Sequence, residues 1–450
     1  MLHSILSLDM KWLEPHSKYF LIRFAKAYGS TPTSADLSEL ASRFGLSGSK
    51  VATALKQLVD RGILLQSQEQ GPRGRPRICY EVVGEWLRQL PSSPKHFHER
   101  VIERLLEHER SATPPGPQPQ SKSVDRYSHL RERKQPGRLS VVNRLLLAVL
   151  LSRADRFGVV SDLGIAEMTR LTGLAPNRLK SRIRTLVNQG VIRSYIPGLA
   201  SPFFTRKIPS SYFLNFSHPE LAVGATPVSL CVYRWAFFPE GERIVPSIYR
   251  DVLALDGDPE GDSSLDDEVV DTEEGALRLL QGQSSEFFAV LQNLLMSHVS
   301  WLLTQYWTPV RSPLRRSAAV ETLRRRLQED FRLPEFIDGD RDSSEGAFLR
   351  MLGRSVANTA AMLGLELAND YFRLGVNELS ILFSPLNSDD WSCALFISGP
   401  EDRPVVCNVW TELGGDAWEC QSYECEAAMP LDRRYRLNLL TRPPLQIGSK

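Results

Sequence analysis

The chain contains one segment twice, and this repeat constrains the fold more than any other feature. Residues 35–64 and 163–192 align at a constant offset of 128. The matched positions are Glu39 with Glu167, Gly45 with Gly173, Leu46 with Leu174, Leu55 with Ile183, Leu58 with Leu186, Val59 with Val187, Gly62 with Gly190 and Ile63 with Val191. Two copies are too few for a solenoid, so we expect two separate modules of one design.

Each copy has the same predicted order of secondary structure. A helical pattern comes first, at residues 18–28 and 140–154, and two shorter helices separated by a glycine follow it. Strand-like runs come next: ILLQSQ and ICYEVV in the first copy, and IRSYI and SSYFLNF in the second. The sequence therefore predicts three helices and a hairpin in each module.

This order resembles the winged helix-turn-helix superfamily. The resemblance rests on ADLSELASRFGLSGSKVATALKQLVDRGIL followed by GRPRICYEVV, and on IAEMTRLTGLAPNRLKSRIRTLVNQGVI. It covers about a third of the chain. It implies that each module binds double-stranded DNA with its second short helix in the major groove, where the N-terminal residues of that helix meet base edges.

The faces of these two helices that do not carry the apolar stripe supply candidate DNA contacts. They are Ser49, Lys50, Thr53 and Lys56 in the first copy, with Ser47 before them, and Asn177, Arg178, Lys180, Ser181 and Arg184 in the second. Asparagine can bond adenine bidentately and arginine can bond guanine. We therefore expect the second helix to read bases directly and the first to rely more on phosphates.

Residues 71–77 read GPRGRPR and lie between two strand-like runs, where a wing tip is expected. The stretch also resembles the AT-hook core, RGRP with basic neighbours. This resemblance implies that Arg73 and Arg75, with Arg77 beside them, enter a narrow A·T minor groove. The alternative is a solvated basic hairpin that only approaches phosphates.

The distribution of charge agrees with a polyanionic partner. Residues 1–225 contain 33 Lys and Arg against 18 Asp and Glu, whereas residues 226–450 contain 21 against 35. The net charge of +1 conceals this opposition. Winged helices also dock proteins, but a basic half favours nucleic acid.

The predicted fold class is mainly α with an α+β C-terminal part. Tandem winged helix-turn-helix domains would be joined by a linker to a C-terminal helical plus β-sheet domain. The predicted divisions are 1–90, first winged helix; 91–137, helix and Pro/Gln-rich basic linker; 138–218, second winged helix; 219–275, acidic bridging loop; and 276–450, C-terminal α+β domain. Strands are predicted at ELSILFS, SCALFIS, VVCNVWTEL and YRLNLL.

No catalytic residue, metal site or cofactor is predicted, and we do not expect an enzyme. The chain lacks a phosphate-binding glycine loop, G-x-S-x-G and H-E-x-x-H. Four C-terminal cysteines are too widely spaced for a typical zinc site: Cys393, Cys407, Cys420 and Cys425. Glu366 and Asp370 could hold a hydrated divalent ion, but a solvated helix edge is the plainer interpretation.

No run of eighteen uncharged apolar residues occurs, so no membrane span is expected. Six cysteines in 450 residues do not make a disulfide framework, which favours a reducing, cytoplasmic and nucleoid-associated location.

The sequence thus predicts sequence-specific binding of double-stranded DNA, with a bacterial transcriptional regulator as the leading version. A plasmid replication initiator or partition protein is one alternative, and a DNA-targeted enzyme acting through residues 276–450 is another. The C-terminal domain would form a homodimer or sense a ligand.

Overall fold

The computed structural model describes residues 1–69, 77–91, 96–107, 139–236, 243–256, 273–311, 316–334, 341–368, 376–386, 388, 391–402, 404–414 and 417–443. Most of the predicted linker, from residue 108 onward, and the acidic stretch 257–272 lie outside these residues. The chain divides into two compact units. The first unit is Met1–Ala154, Ile165–Gln189 and Pro219–Ala225; the second unit is Asp155–Gly164, Gly190–His218 and Thr226–Lys450.

The first unit is built mainly of helices. They are α1 Leu2–Ser7, α2 Pro15–Tyr28, α3 Leu37–Phe44, α4 Gly48–Asp60, α5 Gly84–Arg88, α6 Glu99–Leu106, α7 Val141–Leu151, α8 Ile165–Thr172, α9 Pro176–Asn188 and α10 Pro219–Ala222. Two strands, β1 Leu64–Glu69 and β2 Arg77–Val82, pair antiparallel.

The sequence repeat is also a repeat of helical structure. The bounds of α8 and α9 lie 128 residues after those of α3 and α4, so each pair has the same lengths. Gly45 and Gly173 follow α3 and α8 with φ of 65° and 71°, a left-handed conformation that glycine adopts without steric cost. The offset therefore applies to turn geometry as well as to residue type.

The helices of the two copies pack together around a buried lysine. Helix α2 contacts both α4 and α7. The Lys18 side chain, on α2, is 0% exposed. Its Nζ donates to the carbonyl oxygens of Leu6 at 3.1 Å, Leu8 at 2.9 Å and Leu171 at 2.7 Å. Since Leu171 belongs to α8, one side chain ties the first copy to the second.

The second unit contains the remaining elements. They are β3 Val159–Val160, β4 Ile192–Ile196, β5 Ser211–Leu214, β6 Ser229–Trp235, α11 Ile248–Asp256, α12 Glu273–Arg278, α13 Ser285–Arg311, α14 Arg316–Asp330, α15 Arg341–Glu366, β7 Glu378–Phe383, β8 Trp391–Ser398, β9 Cys407–Gly414, β10 Ala417–Tyr423 and α16 Leu431–Arg436. One sheet has the order β3-β5-β4, and the other the order β10-β9-β6-β8-β7. The larger sheet is mixed, because β6 and β9 run parallel and its other neighbouring strands antiparallel.

Apolar residues pack against both faces of the larger sheet. Cys231, Tyr233 and Trp235 of β6 pack in one apolar cluster with residues of α13, α14 and α15. The alternate residues Leu230 and Val232 pack in a second cluster with C-terminal side chains such as those of Met429, Leu437 and Leu439. The predicted α+β character of the C-terminal part is confirmed by these helices and this sheet.

One segment of α13, Ser285–Tyr306, is the candidate membrane span among the described residues, by length and composition alone. Of this segment's apolar window, 56% is buried inside the structure. A core helix of a folded unit meets the same criterion, and the side chains of this helix belong to the larger apolar cluster.

Three predictions about the C-terminal sheet need correction. The run YRLNLL is not a strand: α16 ends at Arg436, and Asn438 has a φ of 53°. Its leucines anchor a turn, since Leu437, Leu439 and Leu440 are all buried. The predicted bridge 219–275 contains β6, the central strand of the larger sheet, and β10 was not predicted.

Candidate nucleic-acid interface

Helix α4 separates its buried and exposed residues cleanly. Val51, Leu55 and Leu58 are buried at intervals of four and three residues, the spacing of one helix face. The predicted contact residues all lie on the exposed remainder: Ser49, Lys50, Thr53 and Lys56. The fold therefore places this predicted set together on the surface of the first unit.

Helix α9 has the same construction with more positive charge. It begins at Pro176, and Leu179, Ile183 and Leu186 form its buried face. The predicted contact residues are all exposed: Asn177, Arg178, Lys180, Ser181 and Arg184. The helix sequence PNRLKSRIRTLVN carries four basic residues and no acid. All charged side chains of this helix are therefore positive.

Four of the predicted contacts occupy equivalent positions in the two helices. Each pair is separated by 128 residues: Ser49 with Asn177, Lys50 with Arg178, Thr53 with Ser181, and Lys56 with Arg184. Lys50 and Arg178 are both the third residue of their helices. The offset of 128 residues gives this pairing from the sequence alone. The repeat thus preserves two exposed cations in each copy.

The hydroxyl groups of α4 are engaged within the helix. Thr53 Oγ1 donates to the carbonyl oxygen of Ser49 at 3.0 Å, and the hydroxyls of Ser47 and Ser49 lie 3.1 Å apart. In contrast to these hydroxyl groups, the ammonium groups of Lys50 and Lys56 form no ion pair with any residue in the described ranges. The strongest groups that α4 offers to a ligand are therefore its two ammonium groups.

Two residues that the sequence did not single out connect the copies electrostatically. His16, near the start of α2, has a pKa lowered to about 4, first by burial and then by the positive charges of Lys50 and Arg182. Arg182 Nη1 also lies 3.5 Å from Asn143 Oδ1. Lys50 of α4 and Arg182 of α9 therefore both act on the same histidine. Arg182 aligns with Ala54, a buried position, so the repeat gave no signal for it.

The predicted wing of the first copy is partly described. Strands β1 and β2 flank the quoted stretch, as expected, and Arg77 is the exposed first residue of β2, opposite Glu69 in the register. Arg73 and Arg75 lie outside the described residues. The two strands that flank these arginines are therefore paired at the expected place in the chain.

The corresponding connection in the second copy is not a free tip. Between β4 and β5, Phe203 and Phe204 are each 2% exposed and belong to the larger apolar cluster of the second unit. The amide of Thr205 donates to the carbonyl oxygen of Asp330 at 3.0 Å, and Arg206 lies 3.5 Å from the Asp330 carboxylate. This loop is thus anchored to the end of α14 and cannot enter a groove as a free hairpin would.

The other weak candidates gain no support. Among the described ranges, no group of three or more His, Cys, Asp or Glu side chains is placed to hold a metal ion. Cys393 and Cys407 are buried, and burial raises the pKa of each thiol. Burial, with help from Glu412, also raises the pKa of Glu366, whereas Asp370 lies outside the described residues.

Comparison of the chain with protein-family models, with curated proteins and with solved structures finds no match.

Proposed function

We propose that this chain binds double-stranded DNA sequence-specifically through tandem winged helix-turn-helix modules and acts as a bacterial transcriptional regulator. One observation carries the proposal: Lys50 with Arg178, and Lys56 with Arg184, are exposed cations at equivalent positions of two equivalent helices. A helix face that contacts only solvent does not require charges of the same sign at equivalent positions. Two helices that bind the same polyanion do require positive charges there.

The two helices have different tasks in this proposal. The planar guanidinium group of Arg178 can form two hydrogen bonds, to O6 and N7 of guanine. The side-chain amide of Asn177 can bond N6 and N7 of adenine. Both stand at the start of α9, the end of a recognition helix that meets base edges. Lys50 and Lys56 are point charges without a fork, so α4 mainly binds phosphates and sets the register of the complex.

The first hairpin would add a minor-groove contact. Arg73, Arg75 and Arg77 would enter an A·T-rich minor groove beside the site of α4. The anchored loop of the second copy has no such role. A target site with one A·T-rich flank, beside one half only, is therefore expected.

Selection of duplexes from a random pool by the full-length chain tests the function. We expect an enriched motif, and an affinity that falls with salt but keeps a sequence preference at physiological ionic strength. A pool without enrichment, bound only at low salt, would contradict sequence-specific recognition, because phosphate contacts alone behave in that way.

A second candidate function, plasmid replication initiation or partition, is favoured by one observation. The helices of both copies belong to one compact unit in which Lys18 of α2 bonds to Leu171 of α8. A single chain can therefore present two modules without a homodimer. Iterated asymmetric repeats at an origin, bound by one chain each, would support this candidate. A palindromic promoter operator bound by a homodimer through the C-terminal domain would support the regulator.

A further inference from the structure

A pocket of about 390 Å³ in the second unit is lined by an unusual concentration of arginines. Its lining residues are Arg234, Thr411, Pro430, Asp432, Arg433, Arg436 and Leu437. Among the described residues, three arginines and a single acidic residue, Asp432, therefore line this pocket. This is notable because residues 226–450 carry 14 more acidic than basic residues, from 35 against 21.

The fold explains how Arg234 reaches this hollow. Along β6, Leu230 and Val232 point to the face that the C-terminal apolar side chains cover, and Arg234 is the next residue on that face. The row of apolar residues therefore ends in a cation. Thr411 lies directly beside Arg234 in the parallel β6–β9 register, which places its hydroxyl on the same face.

The Arg433 side chain is oriented by contacts within the protein itself. Its Nη1 donates to Gln421 Oε1, and its guanidinium carbon lies 5.6 Å from the centre of the Tyr423 ring. Both partners are on β10, so the sheet orients a side chain that belongs to α16. A guanidinium that is already fixed loses less conformational entropy when it binds a ligand.

Arg436 is only weakly engaged. Its Nη2 lies 3.6 Å from Asp432 Oδ2, and the two side chains are 70% and 67% exposed. An exposed pair of this kind contributes little to stability, so a doubly charged anion can compete for the guanidinium. Glu419, exposed and opposite Thr411 in the β9–β10 register, is a further acid on this side of the sheet. The arginines still outnumber these two acids.

We propose that this pocket binds the phosphate group of a small phosphorylated ligand. Arginine forks match phosphate oxygens bidentately, and Thr411 can donate an additional hydrogen bond. The volume is in the range of small-molecule sites. A concave site of about 390 Å³ admits a compact anion such as a phosphate group. This inference does not depend on the DNA-binding function.

Titration calorimetry of the full-length chain with pyrophosphate, and separately with inorganic phosphate, tests the proposal. We expect saturable binding of one pyrophosphate per chain. Arg234→Ala and Arg433→Ala should each weaken it at least about tenfold, since each removes a charge-assisted contact. Glu419→Gln should strengthen binding, because it removes a nearby negative charge. Arg324→Ala, which changes an exposed arginine of α14, is the matched control and should leave the affinity unchanged.

A second variant distinguishes the loss of a ligand contact from misfolding. Arg433→Lys keeps the charge but removes the fork, and it should still weaken pyrophosphate binding while the circular dichroism spectrum is retained. Absence of saturable binding, or an equal loss in Arg324→Ala, would overturn the proposal. So would displacement of pyrophosphate by a short duplex whose own affinity depends on Arg234, because the site would then serve nucleic acid. Arg178→Ala should not change pyrophosphate binding, which separates this result from a failure of the DNA-binding proposal.

Discussion

Lys50 and Arg178 are the third residues of two helices whose bounds lie 128 residues apart, and both side chains are exposed. The same position thus carries a flexible point charge in one copy and a planar fork in the other. This difference predicts a division of work, with phosphate binding by α4 and base reading by α9.

Replacing the arginines of α9 should change sequence preference as well as affinity. Arg178→Ala or Arg184→Ala should cost about 1–3 kcal/mol on the preferred duplex and relax the preference at particular base pairs, because a bidentate contact to guanine is lost. Fluorescence anisotropy with the selected duplex and its single-base variants measures both effects.

Lys50→Ala is the matched comparison for those variants. It should weaken binding to all sequences alike and reduce the slope of log affinity against log salt by about one, as expected for one phosphate contact. If all three variants lower the affinity of every duplex equally, α9 does not read bases.

Gly173→Ala should destabilise the protein more than Gly62→Ala. Both glycines have positive φ, 71° and 66°, so each alanine bears a backbone cost of about 1–2 kcal/mol. Only at Gly173 would the new Cβ also lie 2.2 Å from a backbone atom, the carbonyl oxygen of Leu13, whereas nothing lies within 4 Å at Gly62. Urea denaturation should show an extra loss of about 2 kcal/mol or more. Equal losses would show that α8 and the Leu13 segment are not packed this closely.

Lys18 should make stability depend on pH. Burial lowers its pKa from 10.5 to about 7, against a smaller opposing effect of Asp9. Between these values the unfolded chain binds more protons than the folded chain, so the free energy of unfolding should rise with pH from about 7 to 10.5. The slope is at most about 1.4 kcal/mol per pH unit from this group.

Urea titrations at pH 7, 8 and 9 measure that slope. Lys18→Met should remove it, although the variant should also be less stable because three carbonyl oxygens lose a donor. Lys11→Met, at an exposed position, should keep the slope of the parent protein. An unchanged slope in Lys18→Met would assign the pH dependence to other groups.

The ion pair of Arg193 and Glu426 should be costly to break. Both side chains are 5% exposed, Nη1 and Nη2 of Arg193 both donate to the carboxylate, and Ser217 Oγ donates to it at 2.9 Å. Arg193→Met leaves a buried carboxylate without its cation and should cost about 3–5 kcal/mol. The double variant Arg193→Met/Glu426→Leu should recover much of this loss.

Denaturation of Arg436→Met provides the control for that prediction. Its pair with Asp432 is exposed, so the loss should stay below about 1 kcal/mol. A similar cost for the Arg193 and Arg436 variants would contradict the buried character of the first pair.

The parts of the fold that the sequence predicted are those specified by local patterns. The helix pairs with their glycines were predicted, because Val51, Leu55 and Leu58, like their counterparts in α9, have helical spacing that does not depend on distant residues. The exposure of the candidate contacts follows from the same spacing. In contrast, the hydrogen bond from Lys18 to Leu171 joins residues 153 positions apart, and no local sequence pattern predicts it.

The errors have physical causes of the same kind. Strand β10 lies at the edge of its sheet and is largely exposed, and its sequence AWECQSY lacks the β-branched residues that favour a strand. The apolar residues of YRLNLL do resemble a strand, but they are buried by a turn that covers the sheet. The anchoring of the second hairpin depends on Phe203 and Phe204, whose partners come from a different part of the chain.

The most direct test of DNA binding by the paired helices is the affinity of one variant for the selected duplex. In this variant Lys50, Lys56, Arg178 and Arg184 are all replaced by alanine; these side chains are exposed, so circular dichroism should show an unchanged fold. We expect this variant to bind the duplex at least about a hundredfold more weakly at physiological salt. A loss of no more than about twofold, which is smaller than the loss expected from removing a single phosphate contact, would contradict DNA binding by these helices.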